Sequence, residues 1–390
     1  MIQRIRDVGG PALIVLATIS FVSSLGISIM LPLLPLYGLA LGASPLQLGL
    51  MTSGFAIANS VGQFGAGFLI DRFGSLRFIL GGTATYAAAN GLIATAPTAV
   101  ALIGYRALAG LGSGGNIVST RLYISQVADP ASLAFFNSIL SAANSAGNVV
   151  GPAFGGLVAV ASDLRVPFAI VAVTSTLAFV AATFLPPPRP ATPTGTLGGP
   201  EPSAWNRSVF TLLAGNLLLL VGFGGWITSY APFATQRLGW TTFDVGIIFT
   251  VFGIGDITLG PWLGHLADRT GRRRMAVLAS IPVSLFGLAL VFGLPRYVVY
   301  GVSLLTGAAL TAYNASWFAL LTTVVPASRR GRVFGVVSAV ANSGTVIGAL
   351  GASALWQSVD LAYGLVMSSV AVLGAGLVLL TLPREVRPAA

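Results

Sequence analysis

Two ionisable side chains stand where an apolar chain has little room for charge. Arg106 lies about eight residues into one apolar run, ~12 Å along a helix. Asp256 lies midway along another, ~18 Å of helix before the next acid on that run, Asp268. A charge at that depth in hydrocarbon costs at least ~2.5 kcal/mol and marks a functional site by default. A carboxylate removed from water favours its protonated form, and a nearby arginine opposes this. Asp256 is therefore placed to take up and release a proton, and no other acid lies mid-span.

Other chemistry is excluded by composition. The 390 residues include no cysteine and one histidine, His265, so thiol nucleophiles, disulfides and His or Cys metal sites are ruled out. Phosphate cradles and Ser-His or Cys-His arrangements are absent as well. The chain is not expected to be an enzyme, to be driven by ATP, or to carry a cofactor or metal.

The elements that position Arg106 and Asp256 follow from hydropathy. The chain is 55% hydrophobic and 8% charged, against about a quarter charged in soluble domains, so it reads as an integral membrane protein. On a ruler of about 20 apolar residues per span, twelve spans emerge, near 11–38, 46–68, 78–96, 98–125, 135–160, 166–185, 208–233, 244–264, 275–294, 298–322, 334–356 and 360–382. The basic N-terminus runs straight into the first of these and reads as a membrane helix, not a signal peptide.

Between the sixth and seventh spans the chain turns proline- and glycine-rich, from Pro186 to Ser203. Proline cannot continue a helix there. The expected organisation is a six-helix bundle over 1–185, a linker over 186–207 and a second six-helix bundle over 208–390. The halves are copies: Gly67, Asp71, Gly74 and Arg77 recur 197 residues on as Gly264, Asp268, Gly271 and Arg274. An all-α fold of two parallel six-helix repeats is a known construction of secondary transporters.

Arginine placement sets the expected orientation. With both termini in the cytoplasm, sixteen of the twenty basic residues fall on that side. Three (Arg165, Arg237, Arg296) fall outside and Arg106 within a span. The net charge of +10 is thus accounted for by membrane topology and gives no reason to expect nucleic acid. The expected location is the inner membrane of a prokaryote, as a multi-pass monomer whose partners are the lipid bilayer, a small molecule and protons.

Three motifs are specific. The first is the island Gly67-Phe-Leu-Ile-Asp71-Arg72-Phe-Gly74-Ser-Leu-Arg77 and its copy Gly264-His-Leu-Ala-Asp268-Arg269-Thr-Gly271-Arg272. Each is expected in a short loop, with the glycine at positive φ and the aspartate capping a helix or pairing with an arginine. The second is Arg106-Ala-Leu-Ala-Gly110-Leu-Gly112-Ser-Gly114, whose repeat partner keeps glycine (Gly307) but replaces the charge with Ser303. The third is Gly147-Asn-Val-Val-Gly151-Pro152-Ala-Phe-Gly155-Gly156. Its glycines form a stripe for close helix approach, and Pro152 is expected to bend the helix.

The island frame G-x-L-x-D-R-x-G resembles the cytoplasmic-loop signature of the major facilitator superfamily. The resemblance covers essentially the whole chain and is nearest to its twelve-helix drug:proton antiporters, the multidrug efflux group. It implies that Gly67, Asp71, Arg72, Gly74, Arg77, Gly264, Asp268, Arg269, Gly271 and Arg272 form a conformational latch. Ser75 and Leu76 stand where the family has basic residues, which weakens the first copy. The arginine-glycine motif resembles the family's proton-coupling helix, and the G-x-x-x-G-P-x-x-G-G pattern its exporters. Gly147, Gly151, Pro152, Gly155 and Gly156 are accordingly expected at a hinge or rocking interface.

In that family spans one, four, seven and ten line a central cavity. This implies substrate contacts from Ser23, Ser113, Asn116, Asn216, Trp226, Tyr230, Tyr313, Asn314 and Trp317, since aromatic rings with polar tips suit flat apolar molecules and organic cations. The expected function is alternating-access export of small lipophilic or cationic compounds in exchange for protons, with Asp256 and Arg106 carrying the coupling. A sugar or metabolite exporter on the same scaffold, or a membrane receptor or scaffold that does not transport, are the alternatives.

Overall fold

The computed structural model describes residues 2–127, 133–188, 205–326 and 330–383. Most of the expected linker lies outside them. Among the described residues the chain forms thirteen helices: α1 (Ile2–Ala40), α2 (Pro45–Phe73), α3 (Ser75–Ala94), α4 (Ala99–Val127), α5 (Leu133–Ala161), α6 (Arg165–Ala182), α7 (Arg207–Gln236), α8 (Thr242–Thr258), α9 (Gly260–Thr270), α10 (Arg272–Val291), α11 (Arg296–Val324), α12 (Arg330–Ser358) and α13 (Ala362–Leu379). Helices α8 and α9 meet at a 47° bend and together make one broken span. Thirteen helices thus give two sets of six spans.

The bend answers to local chemistry. The stretch 244–264 is expected as one span, and Pro261 stands within it, in the first turn of α9. Proline has no N–H to donate to the turn before it and clashes there. The ladder closes on either side instead, Leu259 N–H to Gly255 C=O at 3.0 Å and Leu263 N–H to Leu259 C=O at 3.0 Å.

The repeat extends to the helix caps. Ser44 accepts from the Gln47 backbone N–H at 3.3 Å and its own N–H donates to Gln47 Oε1 at 2.8 Å, a reciprocal capping box at the start of α2. At the corresponding place before α8, Asp244 N–H donates to Thr241 Oγ1 at 3.2 Å and Thr241 N–H to Asp244 Oδ2 at 2.9 Å. The islands are not loops of several residues: helix runs through them, and the break is Gly74 (φ 83°) in one and Gly271 (φ 103°) in the other. Only glycine takes that backbone without strain.

The chain divides into two compact units. The first holds Met1–Pro193 together with Trp240–Thr250, the second Thr194–Gly239 with Val251–Ala390, so α8 begins in one and ends in the other. In the first, Leu13, Leu16, Tyr123 and Phe136 head an interior cluster. In the second, Val209, Leu212, Tyr313, Leu321 and Leu379 do.

Candidate functional site

In the first unit, glycine brings α4 against α2. A Cβ on Gly110 would collide with Phe55 C=O and one on Gly114 with Asn59 C=O, while one on Gly62 would lie 2.5 Å from Leu111 C=O. This contact lays Arg106 over Phe55, with its guanidinium carbon 4.2 Å from the ring centroid. Nη1 donates to Met30 Sδ at 3.6 Å. Arg106 is 5% exposed, and among the described residues its Nε has no hydrogen-bond acceptor. A guanidinium stacked on a π-face is attracted by the ring quadrupole.

The second unit repeats this contact 197 residues on. A Cβ on Gly307 would collide with Phe252 C=O, the counterpart of the Gly110–Phe55 approach. Where the first unit has Gly114 against Asn59, the second has Thr311 against Asp256. The Thr311 hydroxyl donates to Asp256 Oδ1, and also lies 3.2 Å from Gly307 C=O. A Cβ on Gly260 would lie 2.8 Å from Thr311 Cγ2, so the face shared by Asp256 and Gly260 is turned onto α11. Asp256 is half-buried. Thr311 has no titratable group and no motif around it, which is why sequence reasoning passed it by.

The glycine stripe of α5 faces α1. Cβ atoms on Gly147, Gly151 and Gly155 would lie 2.7 Å from Phe21 C=O, 2.8 Å from Leu25 C=O and 2.9 Å from Ile29 Cγ2. Gly156 and Pro152 face a different element, Trp240–Thr250. A Cβ on Gly156 would lie 2.5 Å from Thr242 C=O, and one on Gly246 would collide with Pro152 C=O. Thr242 Oγ1 donates to Gly156 C=O at 3.2 Å. Thr250 Oγ1 donates to Val149 C=O at 2.8 Å and accepts from Ala153 N–H at 3.2 Å. Val149 and Ala153 are the i, i+4 pair straddling Pro152, so one hydroxyl spans the two groups that an undisturbed turn would join directly. Thr242, Gly246 and Thr250 recur every four residues and form one hydrogen-bonded face.

The two islands differ. Arg272 Nε pairs with Asp268 Oδ1 at 3.1 Å, one turn apart, with both side chains exposed; such a pair contributes about 0.3–0.5 kcal/mol. Arg273 Nε donates to Leu379 C=O at 3.3 Å and Nη2 to Leu380 C=O, capping the end of α13. In the first island the Asp71 side chain lies outside the described residues, Arg72 leans on Phe73 at 5.5 Å, and Arg77, Arg269 and Gly67 are exposed. Ser75, in place of a basic residue, is buried and donates to Gln126 Oε1 at 2.6 Å. Gly264 has open space where a side chain would go.

The nine expected substrate contacts divide. Tyr230, Tyr313 and Trp317 are at most 8% exposed and pack inside the second unit. Trp317 Nε1 donates to Leu212 C=O at 2.9 Å, tying α11 to α7. Trp226 is half-buried and stacks on Tyr230 (centroids 5.3 Å apart), and both rings meet Phe286 of α10. Ser23, Ser113, Asn116 and Asn216 are half-buried and Asn314 is exposed. Asn116 turns toward α3, where a Cβ on Gly82 would lie 3.2 Å from its own Cβ, and accepts from Thr120.

Comparison with known proteins bears on the whole arrangement. The chain is 24% identical over 355 residues to Multidrug resistance protein 2 of Bacillus subtilis, covering 86% of each chain. It is 26% identical over 239 residues to Quinolone resistance protein NorA of Staphylococcus aureus, covering 60% of this chain and 61% of that one. The fold superimposes on nucleoside transporter NupG with a TM-score of 0.80 at 13% identity, over 95% of this chain and 99% of that one. Both halves match one family description, through residues 16–243 and 212–390. With the duplicated six-span architecture and paired islands already in view, those matches show that the chain belongs to the Major Facilitator Superfamily of membrane transporters.

Proposed function

We propose that this transporter exports small lipophilic or cationic compounds in exchange for protons by alternating access. The carrying observation is an acid present in only one of two near-identical packings. Asn59 and Asp256 occupy equivalent places opposite Gly110 and Gly307, and only the second can carry a proton. Its contact with the Thr311 hydroxyl couples its protonation to the fit of α8 on α11. Arg106, stacked on Phe55, supplies fixed positive charge to the first unit. The similarity to a multidrug and a quinolone resistance protein supports the substrate class. The two aspartate islands serve as cytoplasmic latches, both termini lie in the cytoplasm, and the protein works as a monomer in the inner membrane.

The test is pH-gradient-driven uptake of a fluorescent lipophilic cation into proteoliposomes, comparing the intact chain with Asp256→Asn. Gradient-dependent uptake that the substitution abolishes, with binding retained, is the expected result. Uptake indifferent to the substitution removes Asp256 from the mechanism. No gradient-dependent uptake of any cation moves the substrate to a sugar or metabolite.

A further inference from the structure

Helix α5 carries a feature that none of the expected contacts used. Asn137, Ser141, Asn144 and Asn148 recur at intervals of four, three and four residues, so they stand on one face, and all four are exposed. The opposite face is apolar: Val150, Phe154 and Leu157 are 52%, 42% and 54% exposed. Asn144 and Asn148 lie ~17 and ~22 Å along a helix about 44 Å long, far from either end. A membrane helix with one exposed apolar face and one exposed amide face puts the first in lipid and the second in water, since amides in hydrocarbon cost several kcal/mol.

The amide face is held in a fixed arrangement. Asn148 Nδ2 donates to Asn144 Oδ1 at 3.0 Å, and Asn144 Nδ2 donates to Ser24 Oγ at 2.7 Å. The Ser28 hydroxyl donates to Ser24 C=O one turn back, and its oxygen lies 3.0 Å from Asn148 Oδ1 and 3.3 Å from Gly147 C=O. Ser24 and Ser28 are 4% and 6% exposed, so the anchor is buried while the amides look outward. Gly147 and Gly151 make this possible, because Ser24 and Ser28 approach where their side chains would have stood. Asn144 Oδ1 accepts from Asn148, and each amide nitrogen uses one of its two hydrogens in these bonds. What remains on the exposed side is a pair of N–H donors one helical turn apart.

We propose that Asn144 and Asn148, oriented by Ser24 and Ser28, form a substrate subsite that takes an acceptor oxygen, a keto or carboxylate group, of the transported molecule. This rests on the transporter reading above and adds to it the polar end of the substrate. The N–H donors match such an oxygen, while the aromatic and apolar remainder of the molecule is bound elsewhere.

The native chain has no cysteine, so single substitutions can be labelled without background. Asn144→Cys, Asn148→Cys, Val150→Cys and Phe154→Cys are each placed in nanodiscs and reacted with a charged methanethiosulfonate. The first two are expected to react at least about 10-fold faster than the last two, and the fluoroquinolone norfloxacin, a keto acid, to slow them several-fold. Asn144→Leu and Asn148→Leu are expected to weaken norfloxacin binding about 10-fold and to leave tetraphenylphosphonium, which has no acceptor oxygen, unchanged. Equal labelling on both faces, absence of protection, or equal loss of both ligands overturns the subsite. Flux separates the two ideas. Norfloxacin bound at the stripe without any gradient-driven transport leaves the subsite and sinks the exporter; cation transport without norfloxacin protection does the reverse.

Discussion

Thr250→Val keeps the size and branching of the side chain and removes one oxygen. That oxygen accepts from Ala153 N–H at 3.2 Å and donates to Val149 C=O at 2.8 Å, next to the donor that Pro152 already lacks. Two hydrogen bonds at about 0.5–1.5 kcal/mol each give a local loss of about 1–3 kcal/mol. At 1.36 kcal/mol per decade this is about 5- to 150-fold in an opening equilibrium. Amide hydrogen exchange in nanodiscs reads that equilibrium directly. The amides around Ala153 in α5, and those of Thr242–Thr250, are expected to exchange faster by that factor. Amides of α3, which Thr250 does not touch, are expected to be unchanged. Thr250→Ser restores the hydroxyl and is expected to restore most of the protection. If Thr250→Val leaves Ala153 protected, the turn closes by its own backbone bond and the hydroxyl is not a bridge.

Two further outcomes follow from the same geometry. Gly307→Ala puts a Cβ into Phe252 C=O and is expected to lower stability by about 1–3 kcal/mol, whereas Gly91→Ala, with open space at its Cβ, is expected to gain about 0.5–1 kcal/mol; thermal unfolding followed by tryptophan fluorescence separates them, and equal midpoints would refute the close-approach argument. Arg106→Lys keeps the charge but not the planar stack on Phe55. Gradient-driven uptake is expected to fall at least about 10-fold while size-exclusion behaviour stays native, and full uptake would show that charge alone suffices.

Sequence by itself determined the quantities that are local or one-dimensional. Hydropathy over twenty residues marks a span because the bilayer has one thickness. The 197-residue offset marks duplication, and it correctly pairs Gly110 with Gly307 and Asn59 with Asp256, which occupy like contacts with Phe55 and Phe252. Gly74 and Gly271 announce a backbone that only glycine adopts freely.

Tertiary structure decided which faces meet. Thr311 reaches Asp256 across 55 residues, Thr250 reaches Val149 across 101, and Asn144 reaches Ser24 across 120. The spacing of Thr250 or Asn144 along its own helix shows a face, but nothing in it names the residue that face meets on another helix. Hydropathy likewise cannot tell an aromatic ring that lines a passage from one that fills a core. Tyr313 and Trp317 look equally suited to both, and it is the packing of the second unit's interior that buries them. The bend between α8 and α9 needed both kinds of information: Pro261 permits it, and the structure gives its size of 47°.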